Sequence, residues 1–266
     1  MVRLGAVDYL NVRPLVHGLD REPMFSIRFD PPSLCARLLD AGEIDLGMIP
    51  TIAYQHRDGY RVVPGAAIGS EGPVASVAVF TKVPVAHIRH VAADTSSNTS
   101  VALFRVLCAE HFDIEPELVP AAPDLEAMIA GADAALLIGD PALYANHAAL
   151  GLDKIDLGEA WTSMTALPFV WAFWAGREGA IDADGVARLQ RARREGEAAA
   201  DAIAEAYAAD YAARTGTPAG AALSKRYLRD NIKYDLGERE LAGVERFHAS
   251  ARRLGVVSRS EPIRFF

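Results

Sequence analysis

The feature that most constrains this chain is a repeated alternation of short apolar runs with amphipathic helical stretches. Residues 2–7 read as a strand and 8–11 as a loop, and 14–19 fit a short helix with Pro14 tolerated in its first turn. Phe25–Phe29 predicts a second strand. Pro32–Ala41 carries Leu34, Leu38 and Ala41 at helical spacing and stops at Gly42. Residues 45–49 predict a third strand ending at Pro50-Thr51. Residues 74–81 are apolar on both faces, as befits a strand inside a sheet. A second series begins near His90, with a short strand at 91–93, a polar loop at 94–98 and a helix over 99–112. That helix presents Val101, Phe104, Leu107, Cys108 and Phe112 on one side. Ala134–Ile138 predicts a buried strand followed by the turn Gly139-Asp140-Pro141, and 169–175 a further strand or crossover. From Asp184 onward the chain is helical and alanine-rich. Its last helix puts Leu241, Val244, Phe247, Ala251 and Leu254 on one face.

Strands alternating with helices imply parallel sheets covered on both faces. Two such series predict an α/β protein of two lobes: residues 1–82 with 172–266, and an inserted lobe at 83–171. Ligands of such sheets sit outside the carboxyl ends of the strands. Three strand-to-helix loops there are unusually polar: 9–11, 69–76 and 95–100.

At 266 residues the chain is long enough to bury a sizeable core, and 51% apolar with 23% charged residues is an ordinary globular balance. The net charge of −8 and the absence of any basic run argue against nucleic acid as a partner. Arg188, Arg191, Arg193 and Arg194 do gather, but Glu195 and Glu197 follow at once, so they read as a solvated helix face. Cys35 and Cys108 are too few for a disulfide framework and lie in apolar helical patterns. The start of the chain reads as a strand, without the features of a signal peptide, and no run is long and apolar enough for a membrane span. A cytoplasmic protein with no membrane partner is therefore expected. No nucleotide-binding, metal or nucleophile-elbow motif is present, and the seven histidines are scattered, so neither cofactor nor metal is expected.

The polar loops each admit two readings. Thr95-Ser96-Ser97-Asn98-Thr99-Ser100 precedes an apolar helix, where one such residue caps the helix. Six in succession also suit a carboxylate or phosphate at the positive helix end. Asn11 is either a turn residue or a neutral cleft group that orients a hydroxyl or carboxylate. Ser76, in a buried run, needs a hydrogen-bond partner, which the backbone or a ligand would supply. Asp140 is either an N-cap or a cleft carboxylate.

The run Val7-Asp8-Tyr9-Leu10-Asn11-Val12-Arg13-Pro14-Leu15 resembles the MqnA family of menaquinone biosynthesis. The likeness continues, in the family's order, through Gly42-Glu43-Ile44-Asp45-Leu46-Gly47, residues 69–76, 95–100 and 134–140, and Leu167-Pro168-Phe169-Val170. It implies a fold like the type II periplasmic binding proteins, with a central cleft between the lobes. It also implies a chorismate dehydratase, a lyase that removes water from chorismate to give 3-[(1-carboxyvinyl)oxy]benzoate on the futalosine route. By motif the family's functional Asn matches Asn11 and its functional Ser matches Ser76. The hydroxyl-rich helix start implies a hold on one substrate carboxylate through Ser97, Asn98, Thr99 and Ser100. Tyr9, Thr51 and Asp140 complete the expected substrate-binding set. The proton acceptor is then either the substrate's enolpyruvyl carboxylate or Asp140. A non-catalytic receptor for a small organic anion and a sister enzyme of the MqnD type are the alternatives.

Overall fold

The computed structural model describes residues 1–266. The chain first lays down β1 (Val2–Ala6), β2 (Phe25–Phe29), α1 (Pro32–Ala41), β3 (Leu46–Pro50) and β4 (Tyr60–Ser70). It then crosses to build β5 (Val77–Thr81), β6 (His90–Asp94), α2 (Asn98–Leu107), β7 (Glu117–Ala121), α3 (Leu125–Gly131), β8 (Ala134–Ile138), α4 (Gly139–Leu143), β9 (Asp153–Asp156) and α5 (Leu157–Thr165). β10 (Phe169–Arg177) returns to the first sheet. The helices α6 (Ala183–Ala198), α7 (Ala200–Thr215), α8 (Ala221–Arg226) and α9 (Glu238–Arg253) finish the chain. Two five-stranded sheets result, ordered β2-β1-β3-β10-β4 and β7-β6-β8-β5-β9.

Both sheets are mixed, where the alternation of elements predicts parallel ones. β1 runs parallel to β2 and β3, but β10 is antiparallel to β3 and β4. β6 runs parallel to β7 and β8, but β5 is antiparallel to β8 and β9. The reversed strands β5 and β10 are those entered by crossing between sheets, so no helical crossover fixes their direction. An apolar run reports burial and says nothing of direction. The crossings lie at 71–76 and 166–168. β5, expected in the first lobe, thus belongs to the second sheet, and β10 enters the first sheet before residue 172.

Several local expectations shift as well. Residues 10–16 wind as a tight 3-10 segment, and β5 starts at Val77 rather than Val74 because Ala75 turns the chain with φ 65°. β4 escapes the sequence pattern because Pro64, Gly65 and Gly69 interrupt its apolar run. The helix that opens at Asn98 is α-helical to Leu107 and closes with a wider π turn at Cys108–Phe112.

One continuous core of 51 buried residues runs from β1 through both sheets into the C-terminal helices, so the lobes are packed as one closed unit. Trp161 of α5, Phe169 of β10 and Phe247 of α9 meet edge to face at its centre, with centroids 4.9–6.2 Å apart. α6 lies directly on the 3-10 segment. A β-carbon at Gly196 would stand 2.1 Å from the Pro14 carbonyl oxygen, so the close approach requires glycine. No helix is long and apolar enough to cross a membrane.

Candidate active site

β1 and β3 of the first sheet and β8 of the second point their carboxyl ends at a cleft with about 570 Å³ of space free of atoms, part of it open to solvent. Its polar lining is Tyr9, Asn11, Ser76, Ser97, Thr99 and Ser100, set among Met48, Ile68, Val74, Ile138 and Trp171. None of the lining residues carries a formal charge. A ligand here meets hydroxyls, one amide and backbone dipoles in an apolar frame.

One wall is assembled from distant segments. Asn11 is the second residue of the 3-10 segment after β1, and its Oδ1 is buried without a hydrogen-bond partner. Such an acceptor costs roughly 1–3 kcal/mol until a donor reaches it. Ser76 is 1% exposed, and its Oγ accepts a 2.7 Å hydrogen bond from the Tyr227 hydroxyl, which lies beside the Asn11 amide. Tyr227 thus satisfies the Ser76 oxygen and leaves the Ser76 proton available to the cleft. The Tyr234 hydroxyl donates to the Asn11 carbonyl at 2.9 Å, fixing that backbone.

The segment that carries Ser76 is also tied from the second sheet. Asp156 accepts from the N–H groups of Val74 and Ala75 at 3.0 and 2.7 Å, and Lys154 Nζ donates to the Ala75 carbonyl at 2.6 Å. These bonds hold Ala75 at its positive φ, a left-handed conformation that alanine rarely adopts. Burial lowers the Lys154 pKa, opposed by the charge of Asp156.

The other wall is local. Ser97 caps α2, with its Oγ accepting from Ser100 N–H at 3.2 Å and donating to Ser100 Oγ at 2.8 Å. The helix start is therefore capped, and its residues Ser97, Thr99 and Ser100 line the cleft. Thr99 Oγ1 accepts from Ile52 N–H at 3.2 Å, a bond between the two lobes. Tyr9 lies at the bottom. Burial pushes its pKa up to about 12, so it remains a neutral hydroxyl. Its ring sits so close to Gly139, at φ 63°, that a β-carbon there would stand 2.6 Å from it.

Three of the expected residues do not reach the cleft lining. Thr51 Oγ1 donates to the Val170 carbonyl at 2.8 Å, and the Thr51 carbonyl receives His248 Nε2 at 3.2 Å, so its polar groups are spent on packing. Asn98 is exposed at the first position of α2 and lines a separate surface depression. Asp140 is 2% exposed and belongs to neither of its two readings, since Ile138 occupies the N-cap of α4. Its carboxylate instead joins the lobes, accepting from Leu10 N–H at 3.1 Å and from the Tyr207 hydroxyl. Burial raises its pKa to about 6, against the pull of the Tyr207 and Leu10 hydrogen bonds.

Tyr227 and Trp171 are the lining or supporting residues that the sequence did not mark. Trp171 Nε1 donates to Ser70 Oγ at 3.1 Å and its ring walls the cleft, but in the sequence it is one more residue of an apolar run. His248 of α9, by contrast, is a satisfied helix histidine. It is buried between Gln55 and Thr51, with its pKa lowered to about 4 by desolvation.

A family model described as menaquinone biosynthesis matches residues 2–253. The chain is 34% identical to the chorismate dehydratase of Thermus thermophilus, over 92% of this chain and 93% of that one. Among solved structures it resembles a protein of Archaeoglobus fulgidus, with TM-score 0.76 at 19% identity, covering 96% of this chain and 98% of that one. It also resembles the periplasmic aliphatic sulphonate binding protein of Escherichia coli, with TM-score 0.69 at 20% identity, covering 98% and 95%. These structural likenesses show the fold: two α/β lobes about a central cleft, as in the periplasmic binding proteins.

Proposed function

The chain belongs to the menaquinone-biosynthesis family, and from that membership we propose that it is a chorismate dehydratase, a carbon–oxygen lyase that converts chorismate to 3-[(1-carboxyvinyl)oxy]benzoate and water. The observation that carries this assignment in the structure is the pairing of an unsatisfied acceptor with a free donor. Asn11 Oδ1 has no partner, and the Ser76 hydroxyl, with its oxygen engaged by Tyr227, has a proton to give. In this reading a substrate hydroxyl donates to Asn11 and accepts from Ser76.

In the elimination, the ring carbon bearing the enolpyruvyl ether loses its proton, and the C–H electron pair becomes a ring π bond. The neighbouring C–O bond breaks, and its oxygen leaves as water on taking up a proton equal to the one that the base removed, so no net proton is gained or lost. The product is aromatic, so the reaction is strongly downhill. The departing proton is vinylogous to the ring carboxylate, which can share the developing negative charge. Orientation and neutral donors then suffice, as an uncharged cleft provides. Ser76 assists the departing oxygen, while Ser97, Thr99, Ser100 and the first N–H groups of α2 hold one substrate carboxylate.

The substrate's own enolpyruvyl carboxylate is the base in this account. Asp140 is a poor candidate, because both of its oxygens are engaged by Leu10 and Tyr207 and it does not line the cleft. Two buried free thiols, Cys35 and Cys108, suit the reducing cytoplasm in which we place the enzyme. Incubation of the purified protein with chorismate, followed by chromatography, tests the assignment. The aromatic ether should accumulate. Binding without product would support an anion receptor, and no interaction at all would favour the sister enzyme.

A further inference from the structure

Resting on the chorismate dehydratase assignment, we infer that Tyr227 is a positioning residue for the elimination, directing the Ser76 hydroxyl proton toward the leaving oxygen. A serine hydroxyl rotates freely unless a donor occupies one of its lone pairs. At Ser76 that donor is the Tyr227 hydroxyl, 2.7 Å away and deep in the core. A proton donor at the oxygen excludes the Ser76 hydrogen from that direction, and the remaining open side is the cleft.

Tyr227 is equipped to play this part permanently. Burial, the largest cause, drives its pKa far above that of an ordinary phenol, so it stays protonated at every working pH. It opens the π turn Tyr227–Asn231 after α8, and the same turn grips the crossing segment a second time, through Asn231 Nδ2 on the Pro73 carbonyl at 2.8 Å. Just beyond the turn, Lys233 exchanges backbone hydrogen bonds with Gly69, and Tyr234 donates to the Asn11 carbonyl. One stretch of eight residues therefore braces both Asn11 and Ser76, which are 65 positions apart in the sequence. Of its contacts, only the Tyr227 hydroxyl touches a group placed at the reacting atoms.

The test is Tyr227→Phe, which removes one oxygen and keeps the ring. Its kcat on chorismate should fall about 10- to 100-fold while KM changes by less than about threefold. In a Ser76→Ala background the same substitution should cost nothing further, because the serine through which it acts is gone. Tyr144→Phe is the control, since it deletes another buried tyrosine hydroxyl, bonded to Ser224 Oγ at 2.8 Å on α8 and absent from the cleft lining. It should lower the melting temperature by a similar amount with kcat within about twofold of wild type. The inference is overturned if Tyr227→Phe keeps full kcat, if its loss multiplies that of Ser76→Ala, or if Tyr227→Phe fails to fold where Tyr144→Phe folds. A wild-type protein that leaves chorismate untouched would sink the functional assignment instead, which separates the two failures.

Discussion

On one side of the cleft the polar residues 95–100 follow one another along the chain, while on the other Asn11, Ser76 and Tyr227 come from three remote segments. The hydroxyls of the consecutive wall that line the cleft are bonded within the protein, while Ser96 Oγ beside them is buried without a partner and does not line the cleft. Ser97 and Ser100 bond to each other, and Thr99 accepts from Ile52 across the lobes. The assembled wall is left incomplete, with a buried acceptor on Asn11 and a spare proton on Ser76. A helix start whose lining hydroxyls are already bonded can hold an anion through its dipole with little rearrangement. An incomplete wall demands a particular partner, which is why we propose the chemistry there and the grip on the carboxylate at α2.

That division can be broken experimentally. Asn11→Ala carries the largest expected effect: kcat should fall about 100-fold or more, as when a donor or acceptor at a developing charge is removed. Its melting temperature should hold or rise, because the deleted oxygen is an orphan in the free protein. A large drop in melting temperature would return Asn11 to a purely structural role. Ser100→Ala should act on the other term. Loss of one hydroxyl from the carboxylate grip should raise KM about three- to tenfold with kcat nearly unchanged, and a fall in kcat alone would contradict the division.

Asp140 supplies the smallest expected change in activity and a change in stability with a definite sign. Its pKa in the folded protein is raised to about 6, above the 3.8 of a free side chain, so the fold prefers the protonated acid. That contribution is fully present below about pH 4 and is lost as pH rises through about 6, amounting to roughly 3 kcal/mol at most. Asp140→Asn keeps one acceptor for Leu10 and has no charge to bury. Melting temperatures measured across that interval should therefore fall less with rising pH in the variant than in wild type. Parallel curves would show that Asp140 is not desolvated as described.

The same contrast explains what the sequence made legible. The helix start at 95–100 announced itself because capping chemistry is local, and Pro32–Ala41 and Ala134–Ile138 were readable to the residue from periodicity. Asn11 and Ser76 are proposed through motif likeness, and neither pattern nor spacing joins them in the sequence. Nothing local marks Tyr227, whose part arises only when α8 and its π turn pack against the crossing segment. Asp140 was misplaced for a related reason: a strand-to-helix position suggests a cap or a cleft group, whereas its partners, Leu10 and Tyr207, lie 130 and 67 residues away. Strand direction in β5 and β10 was hidden because both are buried on either face, and a buried run is equally apolar whichever way it points.

The central claim is that an uncharged cleft, with the substrate's own carboxylate as the base, performs the elimination. The turnover of chorismate by Asp140→Asn beside Asn11→Ala at neutral pH tests it most directly. Asp140→Asn should stay within about threefold of wild type while Asn11→Ala loses about 100-fold or more. Abolished turnover in Asp140→Asn with chorismate still bound, alongside a largely active Asn11→Ala, would contradict it.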